Sequence, residues 1–432
     1  MARFFPATNT FRSLRNYNYR LWAAGALVSN VGTWMQRVAQ DWLVLTQLTH
    51  NNASAVGVVM ALQFGPQMLM LPFSGFAADF FDRRRLLMAT QAAMGLCALV
   101  LGLLTITGLV QLWHVYVIAF CHGVSAAFDA PARQTFVSDL VGEKDLPNAV
   151  ALNSTSFNAA RMVGPAVAGL LIATVGTGWA FLLNALSFGG VLCSLTFLRL
   201  GDLHPSRRAS RAPGGFVAGF RYVWARPDLR AILLMLFLIG TFGMNFQLYI
   251  SAMAVKVFHT DAGGYGLLAS MMAVGTVTGA LLAAGREKPR IELLLSGAAV
   301  FSVGCAVAAV MPSYWLFGAT LVVIGMSALT ITNSTNSLMQ LSTEPAMRGR
   351  VMAIRLAVAM GGTPIGAPFV GWVADRFGAR WALGVGATAG FLAALVMIFY
   401  LTKYRDLRVS FAGGRPRFTL NEGVSSSAAK SS

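Results

Sequence analysis

Charge is what this 432-residue sequence has least of: Asp, Glu, Lys and Arg together make up 11% of it, and only 16 residues are acidic. Soluble domains carry about 25% charged side chains, so there is too little polar surface here to face water on all sides. Cysteine is sparse as well. Cys97, Cys121, Cys193 and Cys305 fall inside apolar stretches with no ligand spacing, which argues against a disulfide framework or a zinc site. The five histidines are scattered, and neither HExxH nor a Gly-rich loop ahead of Lys-Ser/Thr is present. No enzyme activity, metal or cofactor is expected.

Hydrophobic residues, at 56%, fill the space that charge leaves. Apolar stretches of roughly membrane-spanning length occur at 21–45, 55–78, 86–108, 113–131, 150–174 and 178–199, then at 229–255, 265–284, 292–311, 314–338, 351–374 and 381–402. The pattern predicts an all-α membrane protein with twelve transmembrane helices. A net charge of +17 would suit a nucleic-acid partner, but its placement does not. When the loops are assigned alternately to the two sides, 28 of the 33 basic residues share the side of the N-terminus, against Lys256, Arg376 and Arg380 opposite. By the positive-inside rule both termini are expected in the cytoplasm, with the lipid bilayer and a small molecule as partners and no nucleic acid.

The longest basic interval contains HPSRRASRAPGG and separates six spans from six. The predicted division is a cytoplasmic N-terminal segment at 1–20, a six-helix half at 21–199, a cytoplasmic linker at 200–228, a second six-helix half at 229–402 and a structureless cytoplasmic tail at 403–432. The halves repeat weakly. Gly164, Gly169 and Gly176 align with Gly366, Gly371 and Gly378 at an offset of 202, and GFAAD from Gly75 aligns with GALLA from Gly279 at 204. Such duplication places a central site between two moving halves.

Charges inside spans are costly and face a cavity or a partner. In span 1, Asn30, Trp34, Arg37 and Asp41 recur at spacings of four, three and four, on one helical face. At about 1.5 Å per residue from Leu21, Arg37 lies roughly 24 Å and Asp41 roughly 30 Å into a core about 30 Å thick. An Arg37–Asp41 ion pair and a proton-binding Asp41 are both open at this stage. Arg161 in span 5 lies about 18 Å from Ala149, near the midplane. It keeps its proton, and so is read as an anion ligand or as the partner of Asp41 or Asp129. Asn245, Asn333 and Asn336, with Trp34 and Phe157, are candidates for lining a pocket, and helix-to-helix hydrogen bonding is the alternative for the asparagines.

Three segments carry a resemblance. GFAADFFDRRR at 75–85 resembles the loop 2–3 signature of the major facilitator superfamily through Gly75, Ala78, Asp79, Arg83 and Arg84, with Phe80 and Asp82 departing from it. ARMVGPAVAG at 160–169 is similar to the superfamily's antiporter motif through Gly164, Pro165 and Gly169, with Ala160 and Ala168 replacing two glycines. FDAPARQTFVSDLV, MRGRVMA and WMQRVAQDWLVL resemble the drug:proton antiporter branch that includes macrolide-efflux proteins and the enterobactin exporter. Ala119 stands where the superfamily's span 4 motif has an arginine. The resemblance implies a major-facilitator fold in a bacterial inner membrane, a monomer, and proton-coupled efflux of a drug-like compound or siderophore by alternating access. It makes Gly75, Asp79, Arg83 and Arg84 a cytoplasmic gate. The alternatives are an uptake permease or facilitator of the same fold, or a non-transporting receptor or scaffold.

Overall fold

The structure is a computed structural model that describes residues 11–70, 73–74, 77, 80–204, 216–284, 291–405, 408–412 and 415–419. Its rods are α1 (Tyr17–Trp42), α2 (Ala53–Leu69), α3 (Arg83–Ile106), a segment Leu112–Val175, and α6 (Thr177–Thr196). Leu112–Val175 turns over at Gly142, where φ is 69°, into arms α4 (112–141) and α5 (143–175). A residue with a Cβ adopts that backbone reluctantly, so glycine makes the reversal cheap.

After the linker helix α7 (Phe216–Ala225) come α8 (Pro227–Leu238), α9 (Phe246–Lys256), α10 (Ala262–Ala284), α11 (Glu292–Val310) and α12 (Tyr314–Ser342). The series ends with α13 (Pro345–Gly361), α14 (Thr363–Arg376) and α15 (Ala379–Arg405). Helices α8 and α9 form one rod, as do α13 and α14. Among the described residues, nine helical segments are long and apolar enough to cross a membrane. One of them crosses twice, at Gly142, and α1 and α2 complete the twelve.

The two halves are built alike. Gly176 and Gly378, equivalent in the repeat, both have positive φ (94° and 103°) at the α5–α6 and α14–α15 corners. They meet at two equivalent crossings, α5 on α10 and α14 on α2, with backbones in close approach. A Cβ on Gly266 would collide with the Pro165 carbonyl oxygen, and one on Gly57 with that of Ala367. A Cβ on Gly169 would lie 2.9 Å from the Ala262 oxygen, and one on Gly371 2.6 Å from that of Ala53. Where water is absent, small residues let helices gain packing energy, which explains why this glycine pattern is duplicated. Side chains such as Leu170, Leu186, Leu281 and Val303 face outward, as lipid contact requires.

The described part of the N-terminal segment is docked: Ser13 Oγ donates to Asn148 Oδ1 (2.7 Å), and Asn18 exchanges two bonds with the Arg199 backbone. Two segments differ from the sequence-based expectation. The linker contains α7, whose Val223 is buried and whose Phe220 and Trp224 stack on the exposed side. The tail, expected to lack structure, forms an antiparallel hairpin of β1 (Arg408–Ala412) and β2 (Arg415–Thr419). Val409, Phe411 and Phe418 favour strand, and a Gly-Gly pair separates the two runs, a hairpin signal that short strands conceal.

Candidate functional site

Helix α1 carries most of the site. Asn16 caps it by accepting from the Tyr19 N–H (3.2 Å), and its last turn widens into a π-type segment, Leu43–Leu48. Such segments occur frequently where a helix serves function. Asp41, just before the π segment, is buried, and its Oδ2 accepts from the Tyr265 hydroxyl of α10 (3.0 Å). Trp42 stacks on the Tyr265 ring. This hydrogen bond joins the two halves. The second half repeats the device: a π-type segment, Ile239–Gly243, precedes Asn245, which donates to the Thr241 oxygen (2.8 Å) and leaves its Oδ1 unpartnered.

Two turns before Asp41, Trp34 collects two cations. The guanidinium carbon of Arg37 lies 4.7 Å from its ring centroid and that of Arg161 5.4 Å. Phe157 meets Trp34 edge-on at 5.8 Å, and Phe64 of α2 lies 5.6 Å from the Arg37 guanidinium. Gly164 makes this possible: a Cβ there would sit 2.6 Å from Trp34 Cβ. The antiporter-like motif therefore does two things, seating Trp34 through Gly164 and packing α10 through Pro165 and Gly169.

The ion pairs considered for these arginines do not close to salt-bridge distance among the described residues, although Arg37 and Asp41 lie in each other's field. Among the described residues neither Arg37 nor Arg161 forms a salt bridge. Asp41 turns to Tyr265 instead. Asp129 is held by Arg133 (2.8 Å), Gln91 (2.6 Å) and Thr90 (2.9 Å) in a network between α3 and α4. Arg133, one turn along the same helix, is the cation that pairs with it.

Asn30 is half-buried on α1, and Asn333 and Asn336 are half-buried on α12 with no side-chain hydrogen bond among the described residues. Of the gate motif, Gly75 and Asp79 lie outside the described residues. Arg83 Nη1 donates to both oxygens of Asp139 (2.8 and 3.0 Å), and Arg84 donates to the Leu195 oxygen (2.7 Å). Asp82 caps α3 at the Arg85 N–H (2.8 Å).

Sequence reasoning missed Tyr265, Phe64 and Asp139 as partners, and it counted Arg355 among loop cations. Arg355 is buried in α13 and donates to the Thr332 oxygen (3.1 Å). It missed Asp375 altogether. That carboxylate reaches from α14 to the N-terminus of α2, accepting from the Ala53 N–H (2.7 Å), the Ser54 N–H (2.7 Å) and the Ser54 hydroxyl (2.5 Å), and it pairs with Lys256 (2.6 Å).

A family model described as a transmembrane secretion effector matches residues 8–411. The chain belongs to this family. Transmembrane secretion effectors are major-facilitator transporters, so the chain is a membrane transporter and not an enzyme. It is 27% identical over 399 residues to the multidrug efflux pump Tap of Mycolicibacterium fortuitum, covering 88% of this chain and 95% of that one. It is 23% identical over 374 residues to the staphyloferrin A transporter of Staphylococcus aureus, covering 86% and 92%. Its fold matches the crystal structure of a bacterial homologue of the iron transporter ferroportin in its inward-facing state, with a TM-score of 0.68 at 15% identity over 89% of this chain and 98% of that one.

Proposed function

We propose that the chain exports a small molecule from the cytoplasm in exchange for protons, by alternating access, as a monomer in a bacterial inner membrane with both termini cytoplasmic. The observation that carries this reading is the Asp41–Tyr265 hydrogen bond. A carboxylate buried at the seam between two moving halves can link its protonation to whether the halves are joined. When ionised it accepts strongly from Tyr265. When protonated it loses that charge assistance, and the seam weakens. The efflux named for Tap and the clustering of basic residues on one side support the direction and the orientation.

Inside-out vesicles with an imposed pH gradient test the proposal, read by the accumulation of fluorescent drug-like and catechol compounds. Wild type is expected to load them, and a protonophore to stop it. Asp41→Asn is expected to abolish uphill loading while sparing exchange between equal concentrations. Normal uphill loading by that variant would remove Asp41 from coupling, and no loading by wild type would overturn the exporter reading.

A further inference from the structure

Two guanidiniums share one aromatic ring inside the N-terminal half, and among the described residues neither forms a salt bridge. A cation at a helix centre in lipid is costly even on the mildest insertion scale unless something compensates it. Trp34 lies close to both, yet a ring face offers a charge only a fraction of what an anion offers. Asp41, one turn from Arg37 and in its field, accepts its hydrogen bond from Tyr265 instead, and Asp129 is engaged by Arg133, Gln91 and Thr90, which leaves Arg161 with no acid of its own among the described residues. Arg37 Nε is buried and has no hydrogen-bond partner. His122 Nδ1, from α4, is buried without a partner as well. A native core leaves few such groups unsatisfied, and here they accompany two cations outside any salt bridge.

We propose that Arg37 and Arg161 form an anion subsite for the transported molecule, which is an organic anion with a flat apolar body. Guanidinium forks match a carboxylate or another planar pair of anionic oxygens, and Trp34, Phe157 and Phe64 supply the surface for the body. The assignment of this ligand to transport rests on the function proposed above. A purely structural role for the two arginines would predict indifference to ligand charge.

Calorimetric titration of the full-length protein, in nanodiscs of zwitterionic phosphatidylcholine, tests this with three isosteric probes: 1-naphthoate, 1-naphthalenemethanol and 1-naphthylmethylammonium. Naphthoate is expected to bind saturably and at least about tenfold more tightly than the other two, since charge-assisted bidentate bonds are the strong ones. Arg37→Gln and Arg161→Gln are each expected to weaken naphthoate binding at least about tenfold while leaving the neutral probe unchanged, and Arg161→Lys to recover part of the loss. Equal binding of the three probes to wild type, or no saturable naphthoate binding, would overturn the proposal. The wild-type comparison decides even if a Gln variant does not fold. Binding is read without a gradient, so a protein that binds naphthoate but fails to export keeps this inference and loses the exporter reading. Export of a neutral drug without naphthoate binding does the reverse.

Discussion

Two acidic residues pair with basic ones at opposite ends of the molecule and do different work. Asp139 and Arg83 join α4 to α3, both inside the N-terminal half. Asp375 pairs with Lys256 of its own half, and then spends both oxygens on the first amides of α2 in the other half. Among the described residues, the hydrogen bonds that cross between the halves involve Asp375, Asp41 and the Met162 carbonyl, which accepts from Ser270 (3.1 Å). None of these lies at the end that bears the termini. The two arginines of the gate-like motif thus brace one half, while Asp375 and Asp41 fasten the halves together toward the far end.

The most forceful way to break the contrast is Gly266→Val. Its side chain would enter the Pro165 carbonyl, so the far end is expected to stay apart and transport to be lost with expression retained. A Ser270→Cys reporter, with the native cysteines replaced, should then become reactive to impermeant maleimide from the side opposite the termini. Unchanged labelling would mean that the crossing tolerates the valine.

Arg83→Ala tests the brace. It removes the cation from a carboxylate that is 11% exposed, and destabilisation of about 2–3 kcal/mol is expected, somewhat under the 3–5 of a fully buried pair. Thermal unfolding in detergent reads this, and equal melting of variant and wild type would deny the brace. Asp375→Ala should cost less stability but shift the population of the closed far end by about tenfold, the size of one charge-assisted contact of about 1.4 kcal/mol. Spin-label distances between the two halves measure it. Lys256→Met is expected to do least, under about 1 kcal/mol in the same measurement, because the pair is partly exposed and screened by salt. If Lys256→Met equals Asp375→Ala, the helix-terminus contacts are not what holds the seam.

Much of the fold was legible because membrane spans declare themselves locally, through length, apolarity and loop charge. The duplication was legible through Gly164, Gly169 and Gly176, whose counterparts repeat both the backbone conformation and the crossings. The helical face Asn30–Trp34–Arg37–Asp41 was likewise readable from spacing alone. Its partners were not. Tyr265 and Asp375 meet residues more than two hundred positions away, and no periodicity encodes which tyrosine or aspartate reaches across a seam. Arg355 was misassigned because loop charge and the buried end of a span look alike in a hydropathy window. The α7 helix escaped because its apolar residues are too few to stand out against true spans.

Duplication gave the far end two equivalent crossings but only one intruding carboxylate. Ala173, whose methyl group can accept no hydrogen bond, occupies the position equivalent to Asp375 at the repeat offset of 202. The start of α10 is capped from its own chain by Asp261, which accepts from the Gly264 N–H (2.8 Å). One seam is therefore fastened by an ion-paired carboxylate at a helix terminus as well as by shape, and the other by shape with the Ser270–Met162 hydrogen bond. Ionic strength and bilayer pressure act on these separately, so the two sides of a single closure answer to different variables.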